Sequence, residues 1–427
     1  MTAKIHLERM MHRDIIRPVG ESIAAYALIK LIPTGLGEGL APLPLNVALV
    51  LDVSGSMYEE DGTGLSRLQR IQEAAMRALG QLQPSDLISI IAFGHDARVI
   101  LPPTPVADRK KIEDHLYTVD QFNVDPGGTS MDQGMQLALA ELQKNHRQGV
   151  LSHMVILTDG ETSGESLCKQ LAASLPQQKM HLTVMGIGTE WNANLLKELA
   201  KLSNGKWFYI EAEKRDEAER IFVQEFAQLA STAFTDVQMH LRPLKDVRVK
   251  RCRQVVPEIK ELSLRELEER HLVADLGTLE KDRSTRYIVD LSLPPRPDGD
   301  YVICQVEVTY KVGAQEGTTG VVPLKVKYST TQQSYVNAEV MKHIDDVQIY
   351  EMNVNLQQAI QQNKVEEVKR LAEAIERKAS VLGPRAAKKT MLARQALQEL
   401  HAGGRVSKKT MLALEDSMRM AEEMPTS

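Results

Sequence analysis

The sequence predicts an α/β fold in which a doubly wound, Rossmann-like sheet is inserted in a β-sandwich and followed by a helical bundle. Residues 47–51 form an apolar run too short for a membrane span, typical of a strand buried on both faces of a parallel sheet. From Leu45 onward strand and helix patterns alternate, which indicates crossover connections. Beyond Thr235 the apolar period changes to two, and from about Ser334 it becomes helical again.

Length and composition indicate a globular protein with about three domains. The chain has 427 residues, of which 43% are hydrophobic and 26% are charged. Its net charge is −5 and its aromatic content is 4%, without a basic face interleaved with aromatic residues. We therefore expect no nucleic-acid partner.

Cysteine usage and the N-terminus favour a cytoplasmic protein. The three cysteines, Cys168, Cys252 and Cys304, are few, odd in number and far apart, which is typical of a reducing compartment. A single bridge between Cys252 and Cys304 stays open at this point. Residues 1–17 hold no apolar leader segment, and no run approaches the ~18 apolar residues of a membrane helix, so no membrane partner is expected.

The alternating region predicts a complete doubly wound unit. Strands are predicted at residues 47–52, 87–93, 98–101, 154–159, 181–187 and 207–210, and helices at 67–82, 110–119, 131–145, 165–174, 192–202 and 216–230. The stretch 98–101 is expected to be a short antiparallel edge. The earlier strand pattern at residues 23–32 finds no obvious partner within this set.

Alternating strands in the second half predict a β-sandwich. Period-two patterns occur at residues 287–293, 301–310 and 322–328, separated by glycine and proline breaks. The isolated strand at 23–32 is best placed among them. We therefore predict an N-terminal segment at 1–43 that contributes to the sandwich, an inserted α/β domain at 44–234, a sandwich at 235–333 and a helical bundle at 334–427.

Polar oxygens gather where the predicted strands end. Asp52, Ser54 and Ser56 follow the first buried strand, and Gly55 between the serines allows a sharp turn. Thr129 follows Gly127-Gly128 at a predicted helix start, and Asp159 ends another buried strand. Open α/β sheets bind ligands beyond the carboxyl ends of their strands. Oxygen-only ligands suit a hard cation, Mg²⁺ before Mn²⁺ or Ca²⁺.

These five residues resemble the metal-ion-dependent adhesion site (MIDAS) of the von Willebrand factor A family, and the resemblance covers roughly residues 44–234. It implies that Ser54, Ser56 and Thr129 contact the cation, while Asp52 and Asp159 hold coordinated waters and orient the hydroxyls. It also implies a protein partner that offers a Glu or Asp carboxylate to the cation.

The layout of the whole chain carries a second resemblance. An α/β domain inserted in a sandwich is similar to the hybrid-type domains of integrin β chains. The three-part chain resembles cytosolic bacterial proteins that are often encoded near Ser/Thr kinases, phosphatases and phosphopeptide-binding proteins. This implies a signalling or scaffolding setting.

Three other interpretations compete with a binding module. The polar residues could merely cap helices and turns. An enzyme is not favoured, because Ser54 stands where aspartyl phosphotransfer folds carry a second Asp, and neither a nucleophile elbow nor a phosphate-binding loop occurs. The alternative function is a co-subunit of an AAA+ ATPase, as in metal chelatases.

Several other residues have positions or roles that the sequence also predicts. Glu59, Glu60 and Asp61 are interpreted as a solvated acidic loop, with a second cation as the alternative. Met57 could line the rim or plug the loop onto its own domain. His153 is predicted to be a strand-edge residue.

Overall fold

The computed structural model describes residues 3–18, 20–35, 43–60, 64–122, 124–159, 162–188, 192–211, 216–281, 283–362, 364–382, 386–403 and 405–419. The chain divides into two compact units. One comprises residues 41–233, and the other comprises residues 1–40 together with 234–427.

The helices and strands follow in chain order. The strands are β1 (Lys4–Met11), β2 (Ile15–Ile16), β3 (Ile23–Thr34), β4 (Leu45–Asp52), β5 (Leu87–Phe93), β6 (Ala97–Pro105), β7 (Leu151–Thr158), β8 (Met180–Ile187), β9 (Lys206–Ile210), β10 (Thr232–Pro243), β11 (Arg248–Val256), β12 (Lys260–Leu262), β13 (Leu264–Glu268), β14 (His271–Glu280), β15 (Thr285–Leu293), β16 (Gly299–Val312), β17 (Gln315–Thr318) and β18 (Val322–Tyr328). The helices are α1 (Arg67–Ala78), α2 (Arg109–Tyr117), α3 (Met131–Gln143), α4 (Glu165–Ser174), α5 (Ala193–Leu202), α6 (Glu217–Ala230), α7 (Ala338–Gln361), α8 (Val365–Val381), α9 (Ala387–Gly403) and α10 (Lys408–Arg419).

Residues 41–233 contain a six-stranded sheet in the order β6-β5-β4-β7-β8-β9. The strands are parallel except β6, which runs antiparallel to β5 at the edge. Every residue of β4 and β7 is buried, which explains why their sequences are apolar without alternation. Leu51 lies opposite Leu157 in the register, so β4 and β7 end at the same edge of the sheet. The predicted α/β fold class is confirmed.

The other unit contains two antiparallel sheets. The first has the order β1-β3-β15-β11-β12, and the second runs β13-β14-β10-β16-β18-β2, where β2 joins in parallel and β17 pairs with β16. Strand β3 pairs with β15 over its length, Ile29 lying opposite Tyr287, so this early strand joins strands from the second half of the chain. The Ile5 N–H donates to Tyr310 Oη at 3.2 Å, which links the two sheets.

Helices α7, α8, α9 and α10 complete the described part of this second unit. Residues in the first half of α7, including Val340 and Ile344, are buried with Leu28 and Ile288 of the five-stranded sheet. Residues further along α7 pack instead with α8, α9 and α10; the buried members of that cluster include Leu356, Ala372, Ala393 and Leu414. One helix therefore belongs to both the sheet layer and the bundle.

The three cysteines are free and buried, so the bridge left open between Cys252 and Cys304 does not form. Burial raises the pKa of each thiol to about 12, which keeps it protonated and unreactive near neutral pH. Over the described part of the chain, no helix is both long and apolar enough to cross a membrane.

Candidate metal centre

The end of β4 carries the first part of the site. The Ser54 N–H donates to Asp52 Oδ1 at 2.9 Å, which closes the turn directly after the strand. Residues 55–58 then form a short 3-10 helix in which the Met57 N–H donates to the Ser54 carbonyl at 3.0 Å. The Met57 side chain is buried in the core of its own unit, so of its two interpretations the plug is the one that the structure shows.

The end of β7 supplies the second part. Thr158 Oγ1 donates to Asp52 Oδ2 at 2.6 Å, and Ser56 Oγ donates to Asp159 Oδ1 at 2.7 Å. The hydroxyl oxygens of Ser54 and Ser56 lie 3.3 Å apart. Four of the five residues predicted to form the site are thus brought together by direct hydrogen bonds.

Thr129 lies in a third loop, which contacts the first. The Gly55 N–H donates to the Pro126 carbonyl at 3.1 Å, so the two loops touch through their backbones. A Cβ at Gly128 would stand 3.1 Å from His95 Nδ1, a spacing that favours glycine here. Thr129 is half-buried, and its carbonyl oxygen accepts from Thr162 Oγ1 at 2.9 Å. The structure thus places Thr129 on the loop adjoining the serines.

The two carboxylates of the site are both inaccessible to solvent, with Asp52 and Asp159 each 0% exposed. Burial raises the pKa of Asp52 to about 6, and the neighbouring Asp159 charge adds to this. Hydrogen bonds from Ser54 and Thr158 oppose the shift but do not cancel it. A buried carboxylate with a raised pKa gains from a nearby positive charge.

Arg67 is part of the site, although its sequence position does not reveal it. Its Nη1 atom lies 2.5 Å from Asp159 Oδ2 and 3.4 Å from the Ser56 carbonyl oxygen. The second terminal nitrogen lies 3.5 Å from Glu59 Oε2. The Ser66–Gln69 capping pattern could have placed Arg67 at the first helical position, but its contact with Asp159 joins residues 92 positions apart, which a local pattern does not encode.

The acidic loop is found as expected for Glu59 and Glu60, whereas His153 is not where it was expected. Glu59 and Glu60 are exposed, as expected for an acidic loop, whereas Asp61 lies outside the described residues. The interpretation of His153 as a strand-edge residue is wrong. It is buried in β7, between β4 and β8, and its Nε2 lies 2.9 Å from Thr183 Oγ1.

Of the five candidate residues, three offer hydroxyl oxygens and two offer carboxylates. In the described parts of the chain, no three side chains drawn from His, Cys, Asp and Glu are grouped so that they could hold a metal ion. A cation at this edge would depend on hydroxyl oxygens.

Part of the chain is similar to a known family of domains. Residues 47–161 match the family model of the von Willebrand factor type A domain. An uncharacterized protein from Synechocystis sp. is 29% identical over 313 residues, which cover 71% of this chain and 70% of that protein. The human inter-alpha-trypsin inhibitor heavy chain H4 is 28% identical over 212 residues. That alignment covers 46% of this chain and 22% of the heavy chain, so most of the relative lies outside it.

Solved structures share the fold at low sequence identity. A von Willebrand factor type A protein from Catenulispora acidiphila superimposes with a TM-score of 0.80 at 15% identity, covering 98% of each chain. The ArnB paralog VWA2 from Sulfolobus acidocaldarius gives a TM-score of 0.58 at 15% identity, covering 97% of this chain and 98% of the other. At this identity the likeness establishes the fold and nothing more. Residues 47–161 thus match the von Willebrand factor type A domain model, and the chain shares its fold with these two solved structures.

Proposed function

We propose that this chain is a cation-dependent protein-binding module. Asp52, Ser54, Ser56, Thr129 and Asp159 would hold one divalent cation, Mg²⁺ in preference to Mn²⁺ or Ca²⁺. A partner protein would offer a Glu or Asp carboxylate to that cation. The observation that carries the proposal is the meeting of Ser54, Ser56 and Asp159 oxygens, 2.7 to 3.3 Å apart, at one sheet edge.

The oxygens fit such a cation. Adjacent ligands of octahedral Mg²⁺, each about 2.1 Å from the ion, lie roughly 3 Å apart. The two serine hydroxyl oxygens, 3.3 Å apart, are close to that spacing. Each Asp carboxylate accepts hydrogen bonds that hold it in place, so the carboxylates can orient hydroxyls and coordinated waters.

The ligand chemistry favours binding over catalysis. Neutral hydroxyls leave most of the cation charge uncompensated, and Mg²⁺ commonly keeps positions for water or an external ligand. A carboxylate from a partner would complete the coordination and neutralise charge. The sequence supplies neither a nucleophile elbow nor a phosphate-binding loop beside the site, which favours a role without catalysis.

The setting that we propose is a signalling or assembly complex in the bacterial cytoplasm, with kinase or phosphatase components as candidate partners. The three free, buried cysteines are consistent with a reducing compartment. The alternative, a co-subunit of an AAA+ ATPase, is not favoured by the relatives reported above.

Calorimetric titration with Mg²⁺ and Mn²⁺ tests the cation site. We expect one cation per chain for the wild type, loss of binding for Thr129→Ala, and near wild-type binding for Thr129→Ser, which keeps the hydroxyl. Equal binding by the wild type and the Ala variant would remove Thr129 from the site.

A pull-down from native cells tests the binding role. A partner should be retained with Mg²⁺ and released by EDTA, and it should not be captured by Thr129→Ala. A partner that is indifferent to both changes would mean that the site is structural.

A further inference from the structure

Two local sets of hydrogen bonds place Arg67 at the site. Ser66 Oγ accepts from the Gln69 N–H at 3.2 Å and Gln69 Oε1 accepts from the Ser66 N–H at 2.9 Å, forming a capping box that starts α1 at Arg67. The Arg67 N–H also donates to the Glu59 carbonyl at 3.3 Å. Together these contacts fix the residue from which the guanidinium extends to Asp159.

The location is unfavourable for an isolated cation. The N-terminus of a helix carries partial positive charge, which repels a guanidinium placed in its first turn. The Arg67 side chain is only 14% exposed, and its Nε is buried without a hydrogen-bond partner among the described residues. Its close contact with buried Asp159 is what offsets these costs.

That contact changes the charge of the candidate site. Oδ1 of Asp159 accepts from Ser56 and Oδ2 accepts from Arg67, so both carboxylate oxygens have donors from the chain itself. Counted as formal charges, Asp52, Asp159 and Arg67 sum to −1. Glu59 is left out of this sum because its side chain is 67% exposed and screened by solvent.

We propose that Arg67 sets the charge of the cation site so that cation and partner carboxylate bind as a pair. A divalent cation brings the site from −1 to +1, and one partner carboxylate then brings it to zero. Without Arg67, the cation alone would neutralise the site, and the partner carboxylate would leave it negative. Arg67 therefore weakens binding of the free cation and strengthens capture of an acidic side chain. This inference rests on the function proposed above.

A merely structural ion pair, pinning the start of α1 to the end of β7, predicts something different. Removing it would lower the melting temperature without tightening cation binding. A lysine in its place would keep the charge, whereas a neutral side chain would not. Charge and structural pinning are therefore separable by substitution.

The experiment measures Mn²⁺ binding to the full chain by calorimetry and by the electron paramagnetic resonance signal of free Mn²⁺. The variants are Arg67→Gln, Arg67→Met and Arg67→Lys, and the control is Arg77→Gln, which removes an exposed arginine of α1 that pairs with Glu219. We expect the Gln and Met variants to bind Mn²⁺ at least tenfold more tightly, and the Lys variant and the control to stay within threefold of wild type. Acetate, used as the carboxylate probe, should bind the Mn²⁺-loaded Gln variant at least threefold more weakly than loaded wild type.

The outcomes separate this inference from the function on which it rests. A wild type that binds Mn²⁺, with neutral variants that bind equally or more weakly, overturns the role of Arg67 and leaves the cation site standing. Absence of Mn²⁺ binding in the wild type and in all folded variants overturns the site itself, and the inference with it. Melting curves identify the folded variants, and the Met variant serves if the Gln variant does not fold, since it keeps an apolar stem.

Discussion

The ends of β4 and β7 each lead to a fully buried aspartate, but the two carboxylates accept hydrogen bonds from different kinds of donor. Asp52 and Asp159 are both 0% exposed. Asp52 accepts from neutral donors, the Ser54 N–H and the Thr158 hydroxyl. Asp159 accepts from the Ser56 hydroxyl and from the charged guanidinium of Arg67.

This difference shows how one sheet edge can hold two carboxylates. Two like charges side by side in a low-dielectric region repel, and each loses solvation on burial. At Asp159 the positive charge of Arg67 compensates the cost of burying a carboxylate. At Asp52 this cost is not compensated by a positive charge among the described residues, and burial raises the pKa to about 6. Without a bound cation, loss of the negative charge should therefore cost little folding stability at Asp52 and much more at Asp159.

The largest expected effect is on stability when Asp159 is removed. Asp159→Ala leaves the mostly buried Arg67 with only the exposed carboxylate of Glu59 as a counter-charge, and breaking a buried pair from one side costs about 3–5 kcal/mol. Urea denaturation in EDTA measures the change in free energy of unfolding. The double variant Asp159→Ala/Arg67→Met should recover a large part of the loss, and a double variant as unstable as the single one would contradict the pairing.

The next effect is a pH dependence that belongs to Asp52. Because its pKa in the folded chain, about 6, lies above the usual 3.8, the folded state holds the proton more tightly than the unfolded state does. Its contribution to stability is present below about pH 4 and is lost as pH rises through about 6, with a size on the order of 2–3 kcal/mol. Unfolding in EDTA between pH 4 and 7 tests this. Asp52→Asn should flatten that part of the profile, and an unchanged profile would rule out Asp52 as its source.

A smaller effect separates the start of α1 from that of another helix in the same unit. Ser66 caps α1, and Asn192 caps α5 by accepting from the Leu195 N–H. Each Ala substitution should cost about 1 kcal/mol in free energy of unfolding. Only Ser66→Ala should also change Mn²⁺ affinity, because only α1 carries Arg67. Equal affinities in the two variants would show that the cap does not position the guanidinium.

The smallest effect concerns Glu59. Its exposed carboxylate lies 3.5 Å from the second terminal nitrogen of Arg67, and exposed ion pairs contribute only about 0–1 kcal/mol. Glu59→Gln should therefore change the free energy of unfolding by less than about 1 kcal/mol, and the difference should vanish at 1 M NaCl. A larger, salt-independent change would make Glu59 an integral partner of Arg67.

Much of this comparison could be predicted from the sequence, because it depends on strand ends. The buried strands β4 and β7 show in their apolar runs, and the rule that parallel strands end at one edge brings Asp52 near Asp159. Arg67 could not be found this way. Its role depends on a contact with Asp159, 92 positions away in the chain, which sequence periodicity does not encode.

Two details of the strands escaped prediction for similar reasons. The sequence predicts His153 at a strand edge, but a hydroxyl on the neighbouring strand, Thr183 Oγ1, accommodates its ring inside the sheet. In β16 the register shifts between Val302 and Cys304, so that Ile303 and Cys304 are both buried and the expected strict alternation breaks. Both depend on contacts between segments distant in sequence.

Helix α7 has a consequence for how the C-terminal part of the chain can be handled. It spans 24 residues, about 36 Å, and its apolar residues serve the five-stranded sheet first and the bundle second. The bundle is therefore not a detachable tail. A chain cut before Ala338 would uncover Leu28 and Ile288, whereas a cut after Gln361 would keep the sheet covered and leave the far half of α7 bare. A force applied to the bundle would be transmitted to the five-stranded sheet through the continuous helix α7. The bundle and the sheet should therefore unfold together under force.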